Sequence, residues 1–93
     1  MVPVGGSAPG PTVLMYSRRT CGLCDEARAV IGRESRRGGF RFEEVFVDGD
    51  EELERRYGLR VPVILVDGVE AFEYEVDPHR LRVEVARARS RRA

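Results

Sequence analysis

An α/β fold is predicted: a four-stranded mixed sheet with helices on both faces, its elements in the order βαβαββα. Three observations predict it. Short apolar runs bounded by turn residues alternate with segments whose apolar positions recur at helical spacing. Asp67-Gly68 lies between two such runs and marks an antiparallel hairpin near the C-terminal end. One strand-length segment, Arg41 to Asp48, carries apolar residues on both faces, as a sheet covered on each side requires.

The elements follow in order. Residues 1–11 are small, Gly- and Pro-rich and uncharged, and read as a flexible N-terminal tail. Thr12 to Tyr16 is a short apolar strand, followed by a polar loop over Ser17 to Thr20. From the cysteine motif to about Ser35, Leu23, Ala27, Val30 and Ile31 recur at helical spacing, and Gly38-Gly39 ends the helix. Arg41 to Asp48 is the second strand. Asp50 can cap a short second helix whose acidic start, Glu51 and Glu52, and basic end, Arg55 and Arg56, match the helix dipole. Leu53 and Tyr57 give that helix a buried edge, and Gly58 stands just past its end. Val63 to Val66 and Val69 to Phe72 form the hairpin around Asp67-Gly68, where both turn positions need positive φ. Asp77-Pro78 supplies an N-cap and a first-turn proline, and Leu81, Val85 and Ala88 form the stripe of the last helix. Residues 12–89 thus make one domain, and 90–93 a basic C-terminal tail. With a right-handed crossover between the first two strands, this is the thioredoxin-like order.

Composition narrows the function. At 93 residues the chain has room for one domain, and hydrophobic (42%) and charged (34%) fractions fit a folded domain in water rather than a disordered or collagen-like chain. The longest apolar run, Val61 to Val66, is interrupted by Pro62 and falls far short of the roughly 18 residues a spanning helix requires, so no membrane insertion is expected. The N-terminal stretch lacks the basic start and apolar middle of a secretory signal, which implies a reducing cytoplasm. Sixteen basic and sixteen acidic residues cancel, so nothing long-range attracts nucleic acid. Arg87, Arg89, Arg91 and Arg92 form a basic terminus that complements the negative end of a helix dipole. Every basic side chain is arginine, which excludes Schiff-base lysine chemistry and lysine-dependent phosphate loops.

The chemistry centres on Cys21-Gly22-Leu23-Cys24, two thiols three positions apart at a strand-to-helix junction. The first falls at the helix N-terminus, where unpaired amides and the dipole favour a thiolate, and is expected to be the nucleophile. Cys24, about one turn in and on the side of Ala27 and Ile31, is expected to resolve the mixed disulfide. Arg18 and Arg19 either add positive potential to Cys21 or are merely solvated, while Asp25 and Glu26 suit the dipole yet oppose thiolate formation. Structural zinc would be underfilled by two cysteines and the lone His79, so no metal is assigned. An iron–sulfur centre bridging two chains and a redox-sensing pair without turnover are the alternatives.

The run Tyr16-Ser17-Arg18-Arg19-Thr20-Cys21-Gly22-Leu23-Cys24, with Val61-Pro62-Val63 ahead of the hairpin, resembles the glutaredoxin family, in particular its small bacterial glutaredoxin-like members, over Thr12 to about Ala88. The resemblance implies a dithiol oxidoreductase that reduces protein disulfides or small mixed disulfides, acts as a monomer and holds no bound cofactor. Glutathione or a protein thiol, such as a thioredoxin-type partner, would be its external reductant. It implies a cis-proline at Pro62 beside the dithiol, and substrate binding by Tyr16, Arg18, Val61 and Pro62, with the Val61 backbone pairing an extended substrate segment. The sequence departs from the family in three places. Gly-Leu replaces the usual Pro-Tyr between the cysteines, and Arg60 stands where a threonine often precedes the Val-Pro pair. Phe72 to Pro78 takes the place of the glycine pair and acidic residues that hold the γ-glutamyl end of glutathione.

Overall fold

In the computed structural model, which describes residues 10–92, the elements follow the predicted order: β1 (Thr12–Ser17), α1 (Gly22–Arg36), β2 (Arg41–Phe46), α2 (Glu51–Tyr57), β3 (Val63–Val66), β4 (Val69–Glu73) and α3 (Pro78–Arg92). The strands lie in the order β2-β1-β3-β4, with β1 parallel to β2 and antiparallel to β3, and β3 antiparallel to β4. The local signals form as expected. Asp50 accepts a hydrogen bond from the Leu53 N–H at 3.0 Å, Asp77 accepts from the Arg80 N–H at 2.8 Å, and Asp67 (φ 49°) and Gly68 (φ 83°) make the hairpin turn.

Burial separates two apolar layers. On one face Val13 and Met15 of β1 and Ile64 and Val66 of β3 pack with Ala27 and Ile31 of α1 and Leu81, Val85 and Ala88 of α3. On the other, Val47, Tyr57 and Val63 gather with half-buried Tyr16, Leu53, Val61 and Leu65 around the short α2. Helices therefore cover both faces, but unequally. Every residue of β2 is only half-buried, because β2 is an edge strand, which its two-sided apolar pattern did not reveal.

The expected tails need correction. Residues 1–9 and Ala93 lie outside the described residues. Pro11, assigned to the flexible N-terminal segment, is buried, and its carbonyl accepts a hydrogen bond from the Arg41 N–H at 2.9 Å, so the edge of the sheet holds it. Gly10 (φ 139°) lies so near Gly39 that a Cβ there would stand 2.4 Å from the Gly39 carbonyl oxygen. At the other end α3 runs through Arg92, whose Nε donates to Asp67 at 2.8 Å, so residues 90–92 are helix and not tail. Gly58 stands just past α2, as expected, in a right-handed conformation (φ −53°), so positive φ is not what it supplies. A Cβ there would stand 2.5 Å from the Glu54 backbone oxygen and 2.7 Å from Nη2 of Arg18, and glycine suits that close approach.

Candidate active site

Cys21 caps the N-terminus of α1 with extended backbone (φ −158°, ψ 107°); its carbonyl accepts the first helical bond, from the Asp25 N–H at 3.0 Å, and its Sγ accepts from the Cys24 N–H at 3.1 Å. A residue at this point of the chain faces amide donors that have no helical partner. Cys21 is half-exposed, whereas Cys24, one turn on, is fully buried. The two are joined as a disulfide, their Cα atoms 5.2 Å apart. Leu23, between them, is 42% exposed.

Pro62 immediately precedes β3, and the register Tyr16↔Val63 sets that end of β3 beside the end of β1 from which the loop to Cys21 departs. The Val61–Pro62 peptide bond is cis, as the resemblance implied. The Pro62 carbonyl accepts from the Tyr74 N–H at 2.9 Å. The N–H and carbonyl of half-exposed Val61 take no hydrogen-bond partner among the described residues.

Arg18 and Tyr16, expected to bind substrate, both make contacts with residues of α2 and its C-cap. The Arg18 guanidinium pairs with both oxygens of Glu54, with Nη1 donating at 3.0 Å, and its Nε donates to the Gly58 carbonyl at 3.1 Å. It is thus neither a free source of potential nor merely solvated: its charge is answered by a carboxylate, and its hydrogen bond to Glu54 holds the guanidinium firmly protonated. Arg19 lies over the Phe46 ring at 4.7 Å, its backbone N–H donating to Asp48 at 3.1 Å. The ring of Tyr16 stacks on that of Tyr57, centroids 4.2 Å apart and planes 11° from parallel, on the α2 side of the sheet. Burial, and then the neighbouring Tyr57, push the Tyr16 phenol above its ordinary value. His79 stands exposed in the first turn of α3, and no group of three or more His, Cys, Asp or Glu gathers as a metal site among the described residues.

Two features escaped the sequence reading. Beneath the dithiol helix, Glu44 accepts from the buried Ser17 hydroxyl at 2.6 Å and from Arg28 Nε and Nη2 at 2.8 and 2.6 Å, while Arg28 Nη1 donates to Asp25 at 2.8 Å. Asp25, a possible opponent of a Cys21 thiolate, is therefore offset by a cation. Only the Asp25–Arg28 spacing was visible in sequence; Ser17 and Arg28 are brought to Glu44 by the parallel pairing of β1 and β2 and the packing of α1. The second is Tyr74, which has a φ of 71° and carries no motif.

A sequence profile of the glutaredoxin-like domain (DUF836) matches residues 12–86. An uncharacterized protein of Mycobacterium tuberculosis is 35% identical over 83 residues, covering 84% of this chain and 86% of that one. Among solved structures, a structural-genomics target protein from X. campestris is 37% identical, with 82% of this chain and 97% of that chain covered and a TM-score of 0.67. A thioredoxin mutant from Halobacterium salinarum, 20% identical with a TM-score of 0.65 over 86% of this chain and 75% of that one, shares the fold. The architecture is thioredoxin-like.

Proposed function

The chain belongs to the glutaredoxin-like family, and from that membership we propose that it is a thiol–disulfide oxidoreductase working through Cys21 and Cys24. The observation that carries this is the contrast between the two sulfurs. Cys21 is half-exposed at a helix N-terminus and receives an amide hydrogen bond, while Cys24 is fully buried one turn behind it, within bonding reach.

In the reduced protein the helix N-terminus and the Cys24 N–H favour a Cys21 thiolate, so Cys21 attacks. Its sulfur bonds to one sulfur of a substrate disulfide, the substrate S–S bond breaks, and the second substrate sulfur leaves with the electron pair. Cys24, losing its proton, then attacks Cys21, and the first substrate sulfur leaves as the second thiol. The substrate has gained two electrons, and the protein is left as the Cys21–Cys24 disulfide. Two glutathione thiols, or the dithiol of a thioredoxin-type protein, return it to the reduced form; a reducing cytoplasm supplies both. One chain carries the whole cycle and needs no second copy. Val61, with both backbone groups unpaired among the described residues, is the segment along which an extended substrate pairs, and Pro62 holds it in place.

The test is a pair of variants of the full chain. Cys21→Ser is expected to abolish turnover of a model disulfide, and Cys24→Ser to accumulate a mixed disulfide at Cys21, seen by mass. Turnover in Cys21→Ser, or adducts at Cys24 in place of Cys21, would contradict the assigned roles.

A further inference from the structure

We infer that Tyr74 and the cleft beside it select the substrate of the dithiol: an extended polypeptide disulfide with an apolar or basic side chain next to its cysteine, in preference to glutathione disulfide. This rests on the oxidoreductase reading and specifies its substrate class.

Tyr74 is one of two non-glycine residues with positive φ among the described residues, and the other, Asp67, is explained by its hairpin turn. A bulky side chain in that conformation is an outlier that its surroundings must hold. Here the holding groups belong to the loop before β3. The Tyr74 N–H donates to the Pro62 carbonyl at 2.9 Å, and its hydroxyl reaches the Leu59 carbonyl at 3.4 Å, so the residue straddles the segment on which substrate pairs. The residue nonetheless remains 43% exposed, and Leu23 and Leu59 are exposed too, at 42% and 93%. Of the four exposed large apolar residues among those described, Leu23 and Tyr74 meet at one cleft, Leu59 is joined to Tyr74 through its carbonyl, and Val69 sits at the hairpin turn.

Leu23 and Tyr74 line one cleft, floored by Ala27, Val30 and Val76 and flanked by Glu26 and Glu75. Neither carboxylate has an ion-pair partner among the described residues. Of the arginines around the dithiol and the substrate segment, Arg18 is held by Glu54 and Arg60 by Glu70 and Glu73, while Arg19 lies over Phe46, Arg56 over Tyr57 and Arg80, beside Glu75 in the neighbouring cleft, over Phe72. Glutathione carries two carboxylates and one ammonium, so this cleft presents it with like charge and an apolar surface it cannot cover. A polypeptide brings a backbone for Val61 and a side chain for the cleft, apolar against Leu23 and Tyr74 or basic against Glu26 and Glu75.

The test compares kcat/KM of the full chain for glutathione disulfide and for synthetic peptide disulfides with Leu, Arg or Asp beside the cysteine. The native chain is expected to favour the Leu and Arg peptides over both the Asp peptide and glutathione disulfide. Tyr74→Gly, suited to the positive φ, and the double variant Glu26→Gln/Glu75→Gln, which alters charge with little change of shape, are each expected to reduce the peptide-over-glutathione ratio about tenfold. A native chain without the preference, or a variant of either kind that keeps it in full, overturns the assignment while leaving the oxidoreductase reading intact. A native chain that turns over none of these disulfides overturns that reading, and this inference with it.

Discussion

At Cys21 the backbone passes from extended to helical, and the sulfur comes to rest against an amide that the helix itself does not use. A thiolate there is stabilised relative to a solvated one, so the rate of alkylation of Cys21 against pH should show an apparent pKa below the ordinary value of about 8.5. A midpoint at or above that value would contradict the role given to the helix N-terminus. Gly58 offers a second residue-scale test. A methyl group at that position meets the Arg18 guanidinium and the Glu54 carbonyl, so Gly58→Ala should destabilise the fold by about 1–3 kcal/mol in denaturant unfolding; a neutral effect would show that the Arg18–Glu54 pair shifts freely. The placement of the two cysteines, Cys21 at the helix N-terminus and Cys24 buried one turn in, was legible in the sequence because it follows from local position. Arg18 was not, because its partner Glu54 lies 36 positions away and is brought to it only by the fold.

The helix that carries the dithiol is tied to the sheet through Glu44. Removing that carboxylate strands a buried Ser17 hydroxyl and a half-buried Arg28, so Glu44→Ala should cost about 1–3 kcal/mol of stability, measured by urea unfolding. A loss below about 0.5 kcal/mol, the usual result at an exposed site, would contradict the clamp. On the far side of the same core, Leu81 of α3 is fully buried, and Leu81→Ala is expected to cost about 2–5 kcal/mol, whereas Leu59→Ala, at a 93% exposed position, should stay within about 0.5 kcal/mol. Helices and hairpin were legible because their caps, stripes and turn residues are local: Asp50, Asp77 and Asp67-Gly68 each act within a few residues. The end of α3 was read too short because its arginines looked like a tail, while Arg92 is fastened to Asp67 across 25 positions. The edge position of β2 depends on strand order, which no property of Arg41–Phe46 announces.

Over the whole molecule the formal charges cancel, and the ion pairs make the balance depend on pH. Hydrogen bonding by Arg82 holds Glu34 below the usual carboxylate range, and the Thr12 N–H with Arg92 does so for Asp67. At Glu44 burial pushes the carboxyl up, but Arg28 and Ser17 outweigh it and the net shift is downward. A folded-state value below the unfolded one stabilises the protein above the unfolded value, and that stability is lost as pH falls through the folded value. The unfolding midpoint should therefore be flat near neutrality and fall below about pH 4; a midpoint unchanged down to pH 2 would contradict these pairings. The order of elements was legible at this scale because each segment announced its own period, and that order admits few ways of closing a mixed sheet. The loop that carries Tyr74 was not, since its conformation is set by contacts to Pro62 and Leu59. The most direct test of the central claim is to equilibrate the full chain in graded glutathione buffers and count alkylated cysteines by mass. A single reversible two-electron transition of Cys21 and Cys24, between about −270 and −200 mV, is the expected result. A pair that stays wholly reduced or wholly oxidised across that range would contradict a thiol–disulfide oxidoreductase.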